Sequence, residues 1–296
     1  MNTAIDDSAV VGRRCRIGNF VTISARAVLG DDVFIGHNVI IHPGARIGDR
    51  TNIQDHAVIG RQPISSTIST RKVDHCEPIQ IGAECIIGSH VVLYAGVVLE
   101  DAVMVADLAS IRERTVVRKQ AIVGRGVLVE YDTVIGERTK IQTGTHLTGN
   151  MIIESDVFIG GEVCTMNDKQ LDRDGSAELI GPRIRRGARI GCNATILPGV
   201  IIGIDAVVGA GATVTKDVPD ATVVSGPAAK YLKDAPPEFC LNQLPLRSPE
   251  PNAKTHILDR APRHPVLSRH CPPRRTVPSS KGPMVRLTPD DDEHAG

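Results

Sequence analysis

The sequence predicts an all-β chain wound into a parallel β-helix of about ten coils, with two corner loops and a short C-terminal capping helix. Three observations carry this. An aliphatic residue returns every six positions, a compact residue sits two places before it, and glycine follows it directly in 14 of 30 cases. Period six is neither the 3.6 of a helix nor the 2 of a half-buried strand. It fits a short straight segment and a corner, repeated. Three segments close a triangular coil of about 18 residues, stacked on the next at about 4.8 Å.

The elements follow in order. A first array of nine key positions runs from Val11 to Ile59, a second of fifteen from Ile81 to Thr165, and a third of six from Ile184 to Val214. Each key side chain points inward and stacks on its equivalents above and below. The glycine after it is read as supplying the backbone angles of a tight corner. All three counts are multiples of three, so each array is a whole number of coils. The interruptions, Gly60–Gln80 and Met166–Arg183, therefore leave from one corner of the prism, five coils or about 24 Å apart. Long loops on a rigid scaffold often carry function. The repeat domain extends to residue 232, with Pro219 and Pro227 ending the coil and Ala228–Leu232 read as the capping helix. Residues 233–296 hold 12 of the 19 prolines and show no periodicity, the composition of a disordered tail.

Composition excludes several classes. Lys+Arg and Asp+Glu are both 34, so no cationic footprint for nucleic acid exists. Aromatics are 2% of the chain and Trp is absent, leaving a core of Ile, Val, Leu and Ala. Seven cysteines without a CxxC pair argue against a disulfide framework. No signal-peptide pattern or apolar run of about 18 residues occurs. A cytoplasmic protein with reduced thiols and no membrane contact is expected.

The non-repeat features are more specific than the hexads. "VIGRQPISSTISTRKV", "VLYAGVVLEDAVMVADLASIRE", "AIVGRGVLVE", "TKIQTGTHLTG" and "TMND", closed by "VGAGATVTKDVP", together resemble the nucleotide-sugar N-acetyltransferases that act on dTDP-3-amino-3,6-dideoxyhexoses. These belong to the hexapeptide acyltransferases, and the likeness covers about residues 10–232. Departures are Met166 in place of Thr, Gly160-Gly161 in place of Ala-Pro, and Ser225-Gly226-Pro227-Ala228 for the usual "GNPA" turn. The resemblance implies a left-handed coil, a homotrimer with sites between subunits, and acetyl-CoA as co-substrate with no metal. It assigns Asn167 and Asp168 to the sugar amine, as catalytic and substrate-binding residues. By composition alone an Asn-Asp pair in a loop is a turn former.

Arg71 and Lys72 are candidates for the nucleotide diphosphate. Gly191, Ala194, Gly209, Ala210 and Gly211 are candidates for close backbone approach to the pantetheine, with Arg186 and Lys216 for its phosphates. His90 and His146 are read as surface histidines, and Cys164 and Cys192 as packing residues. A zinc lyase of the γ-carbonic-anhydrase type is the first rival, because His37 and His42 match two of its three histidines; the third would fall on Met1. A non-catalytic β-helix scaffold is the second. The identity of the sugar, the nucleotide, the general base and any acyl group other than acetyl stays open.

Overall fold

The structure is a computed structural model that describes residues 3–69, 71–173 and 178–226. It is a left-handed parallel β-helix of 32 short strands, from β1 (Ala4–Ile5) to β32 (Val223–Val224). Successive strands pass to successive faces, building three parallel sheets of 11, 10 and 11 strands. We call them sheets 1, 2 and 3 in chain order. The first corner joins sheet 1 to sheet 2, the second joins 2 to 3, and the third joins 3 back to 1. Strands one turn apart pair in register 18 residues on, as Val116 with Val134 and Val117 with Ile135.

The coil count expected from sequence is short by a rung at each end. Ile5 lies six residues before Val11 and extends the first array, although it is 45% exposed on the open end. Beyond Val214 the chain leaves the six-residue beat, bridges Val218 to Ile202, and returns as Val223–Val224 against Val207–Val208. The capping helix expected at Ala228–Leu232 and the tail lie outside the described residues.

Both interruptions leave the same corner, as the multiples of three require. The chain departs sheet 1 after Val58–Arg61 and re-enters sheet 2 at Gln80–Ile81; it departs sheet 1 again after Cys164–Thr165 and re-enters sheet 2 at Arg183–Ile184. Five rungs of sheet 1 separate the two departures.

The glycine column needs a different explanation from the one its sequence position suggested. The left-handed residue of each corner stands three places after the key aliphatic and is mostly not glycine: Arg14, Asp32, His56, Arg138 and Asn193 have φ between 56° and 62°. Where glycine directly follows the key residue at the second and third corners, it fits close approach of the next turn; Gly60, at the first corner, instead has φ +84°. A Cβ on Gly136 would stand 2.3 Å from the carbonyl carbon of Glu154 in the next turn. Gly126, at φ +64°, has nothing within 4 Å of that point. Gly136→Ala is therefore expected to destabilise by about 1–3 kcal/mol through overpacking, and Gly126→Asn by less than about 0.5 kcal/mol, because Asn tolerates this conformation. Thermal melts of the two variants check the contrast, and equal losses would contradict it.

The core is a stack of aliphatic key residues from Ile23 to Val214, interleaved with the compact residues two places before them from Val21 to Ala212. Threonine enters the compact column without cost because its hydroxyl donates to the next turn: Thr51 to Gly82 O at 2.9 Å, Thr139 to Glu154 O at 2.9 Å, Thr145 to Gly160 O at 2.9 Å. Cys85 takes the same place, its thiol 3.2 Å from Glu100 O. Burial pushes that thiol up to about 11. At pH 8 about one part in a thousand is thiolate, so native iodoacetamide treatment is expected to modify the exposed Cys164 and Cys192 and to spare Cys85 until the chain is unfolded. Peptide mapping reads this; native labelling of Cys85 would contradict it.

Candidate functional site

The two loops, leaving five turns apart, approach one another along the first corner. Loop one (60–80) runs down the prism. Its base is closed by Gln62, whose amide donates to Cys76 O at 2.8 Å and accepts from Cys76 N at 3.0 Å. It reaches Glu113 through Arg71, whose Nη2 stands 2.7 Å from Glu113 Oε1. The Arg71 guanidinium carbon lies 3.4 Å from the ring centroid of Tyr131, a stacked cation–π contact. Loop two (166–183) is held to the wall at Gly149 and Asn150: Asn167 donates to Gly149 O at 3.3 Å and Asn150 to Leu179 O at 2.8 Å.

Between them lies a cleft of about 440 Å³ lined by Ile64, Ser69, Arg71, Arg112, Tyr131, Asn167, Asp168 and Asp172, among others. Its charges are separated by origin. The guanidiniums come from loop one and the wall, the carboxylates from loop two. Asp168 also organises its own loop, accepting from Gln170 N at 2.7 Å and from Asp172 N at 2.6 Å. Each oxygen retains a second lone pair for a ligand.

Behind the cationic side sits Glu113, with a side chain 0% exposed. Arg112 Nε lies 3.1 Å from Glu113 Oε2, and Arg112 Nη1 lies 3.4 Å from Glu130 Oε2. Burial raises the Glu113 carboxyl, but its own backbone amide, Arg71 and Arg112 outweigh that, so it is held below its ordinary value of 4.5. The unfolded chain then binds the proton more readily than the folded one. The pairing contributes fully above pH 4.5 and is lost as pH falls through the depressed folded value. The protection of loop-one amides, taken relative to intrinsic exchange at each pH, is thus expected to hold from neutral pH down to 4.5 and to fall only at lower pH; a fall already at pH 6 would contradict it.

The sequence-predicted residues fall as follows. Asn167, Asp168 and Arg71 share the cleft. Lys72 does not, its ammonium donating back to Thr67 O at 3.0 Å. Gly191 and Gly209–Gly211 stack on adjacent turns of the third corner, where a Cβ on Gly191 would meet Ala210 N. Ala194 is in the core at 0% exposure, leaving only its backbone. Arg186 stands on the second corner and Lys216 on the first, both exposed. The proposed CoA-binding set is thus spread over three corners of one chain. His90 stacks on His56 at 4.7 Å on the third corner. His146 lies on sheet 1 beside Cys164. His37 is on the third corner, accepting from Asn19 N at 2.9 Å, and His42 is on the first. Among the described residues no group of three His, Cys, Asp or Glu is placed to hold a metal.

Sequence reasoning missed Arg112, Glu113 and Tyr131. A signal existed. The place after the key residue holds glycine in six of ten turns at the second corner and seven of ten at the third, but only once, at Gly60, at the first. There it holds Tyr94, Arg112 and Glu130 instead.

Comparison with known proteins agrees with this architecture. The family model for the bacterial transferase hexapeptide (six repeats) matches residues 26–61 and 181–216, and that for the hexapeptide repeat of succinyl-transferase matches residues 78–106. Together these matches cover less than half of the chain, in segments that carry the six-residue repeat. It is 59% identical over 46 residues to a 2,3,4,5-tetrahydropyridine-2,6-dicarboxylate N-acetyltransferase of Staphylococcus aureus, covering 16% of this chain and 19% of that one. It is 32% identical over 106 residues to a galactoside O-acetyltransferase of Lactococcus lactis, covering 31% and 50%. The chain thus spans half or less of the length of these curated relatives. An Arabidopsis UDP-N-acetylglucosamine acyltransferase aligns over 76% of this chain and 69% of its own at 18% identity and TM-score 0.42, too loose a likeness to argue from.

Proposed function

We propose that this chain is an acetyl-CoA-dependent acetyltransferase whose acceptor is the amine of a nucleotide-linked amino-deoxy sugar. The observation that carries the reading is the charge-separated cleft at the meeting of the two loops. Guanidiniums at one side and carboxylates at the other suit a zwitterionic acceptor, with phosphate toward Arg71 and Arg112 and the amine toward Asp168. A neutral sugar hydroxyl would use neither the charge of Asp168 nor the guanidinium donors left over from the ion pairs with Glu113 and Glu130. The family repeats, and relatives named for N- and O-acetyl transfer, support the acyl-transfer class.

The chemistry needs no covalent enzyme intermediate. The bound ammonium first gives up one proton to solvent by way of the Asp168 carboxylate; the neutral amine attacks the thioester carbonyl, the C–N bond forms, the C–S bond breaks, and the thiolate takes the second proton from nitrogen. Holding the two reactants in line supplies much of the rate. Asp168 accepts a hydrogen bond from the amine and orients its lone pair, with Asn167 beside it. The small-residue stack at Gly191 and Gly209–Gly211 offers exposed backbone to a pantetheine arm. Its separation from the first corner is the reason we propose a homotrimer, in which one subunit's third corner faces another's loops; closed cyclic symmetry accommodates such a site.

Thermal shift separates this reading from a scaffold. Millimolar acetyl-CoA is expected to raise the melting temperature, and a dTDP-linked amino sugar to raise it where a neutral galactoside does not. No shift with acetyl-CoA would favour the non-catalytic reading.

A further inference from the structure

Glu113 stands where a hexapeptide corner ordinarily presents a side chain to solvent, yet it is fully enclosed. Burying a carboxylate is costly unless it is paired and hydrogen-bonded. Here it is approached by two guanidiniums from different parts of the chain. Arg71 arrives from loop one at 2.7 Å, and Arg112 comes from the neighbouring wall position, its Nε and Nη2 at 3.1 and 3.2 Å. Tyrosines hold the guanidinium planes. Tyr131 lies under Arg71 at 3.4 Å, and Tyr94 lies 5.4 Å from Arg112. Each guanidinium is thus fixed from behind; the two side chains are 21% and 28% exposed and both line the cleft, with the Arg71 Nη2 atom buried against Glu113.

We propose that Glu113 is the positioning residue of this cleft, holding Arg71 and Arg112 as a two-guanidinium fork for a diphosphate group. The proposal rests on the acceptor reading above and names the part of the acceptor that the cationic side takes. A guanidinium bonds phosphate oxygens through paired N–H groups in a fixed plane. Arg71 meets Glu113 through Nη2 alone and keeps Nε and Nη1 for a phosphate, while Arg112 also reaches Glu130 through Nη1 at 3.4 Å, the long contact that an adjacent phosphate would replace. Glu113 also ties loop one to the wall, so the fork exists only while that loop is docked.

The test uses the full chain with inorganic pyrophosphate as probe. Trp is absent and the tyrosines are only Tyr94, Tyr131 and Tyr231, so a Tyr94→Phe, Tyr231→Phe background makes Tyr131 the sole emitter. The stacked Arg71 shields its ring. Glu113→Gln is expected to raise acrylamide quenching of Tyr131 to the level of Arg71→Ala. In the otherwise native chain it weakens pyrophosphate binding by about tenfold, the loss of one charge-assisted contact. It also raises the acceptor KM while kcat and acetyl-CoA binding hold. If Glu113→Gln does not fold, Arg71→Lys carries the test from outside the wall: it keeps the charge, loses the fork, and weakens pyrophosphate by a similar factor. Equal pyrophosphate affinity in these variants and the native chain, no pyrophosphate binding by the native chain, or unchanged Tyr131 quenching in folded Glu113→Gln would overturn the proposal. Pyrophosphate binding and quenching as expected, but without acetyl transfer to any amine, would instead sink the acetyltransferase reading and leave the fork standing.

Discussion

Asp168→Asn lowers acetyl transfer by about 10²- to 10⁴-fold, the range of a positioned proton-handling group, while the melting transition stays in place. The side chain stands in the cleft and belongs to a loop outside the wall, so no buried column loses a member. An Asn at 168 keeps one acceptor oxygen. It can still take the hydrogen bond from Gln170 N, but it loses the second acceptor that now serves Asp172 N. The variant therefore removes the negative charge facing the amine and slackens one turn of loop two. Asp172→Asn separates the two effects. Asp172 also lines the cleft and carries charge, but it is not the residue that organises the loop. A fall in kcat with Asp168→Asn, and little change with Asp172→Asn, locates the amine at Asp168. Near-normal turnover of Asp168→Asn would remove it from the mechanism.

Ile135→Ala has the largest expected effect on stability, about 2–5 kcal/mol. Ile135 is 0% exposed and stacks between Val117 and Ile153 in sheet 2. In a solenoid each turn contacts only its neighbours, so coupling along the axis passes through every rung. Ile135 lies between the departures of the two loops, and a cavity there weakens the segment that holds them in register. The exposed corner substitution Gln142→Ala, one turn-segment away, is the control and changes stability by less than about 0.5 kcal/mol. Denaturant melts read both; equal midpoints would contradict the stacking account.

The wall of this protein was legible because its physics is one-dimensional. An inward aliphatic every six residues admits few shapes, and array lengths divisible by three place both loops on the first corner before any coordinates are consulted. The end rungs were less legible. Ile5 keeps the beat but is exposed, and Val223–Val224 follows a stretch around Pro219 that leaves it. The glycine column was visible but its cause was not, since close approach of the next turn is a contact 18 residues away. The site was half legible. Asn167 and Asp168 stood out as polar residues in an interruption. Their meeting with Arg71 depends on how loop one folds back, and that is set by Gln62 on Cys76 and Arg71 on Glu113. Neither pairing has a periodic signature. The scarcity of glycine at the first corner was the clue available, and it appears only once the turns are sorted by corner.

The acyl-transfer claim meets its most direct test in mass spectrometry of the full chain incubated with acetyl-CoA and a panel of dTDP- and UDP-linked amino sugars, beside matched sugars bearing hydroxyl in place of amine. The account predicts free CoA together with a product that gains one acetyl group on nitrogen, for at least one nucleotide-linked amino sugar and for none of the hydroxyl analogues. Acetylation of the hydroxyl analogues, or no CoA release above the rate without protein for any acceptor, would contradict it.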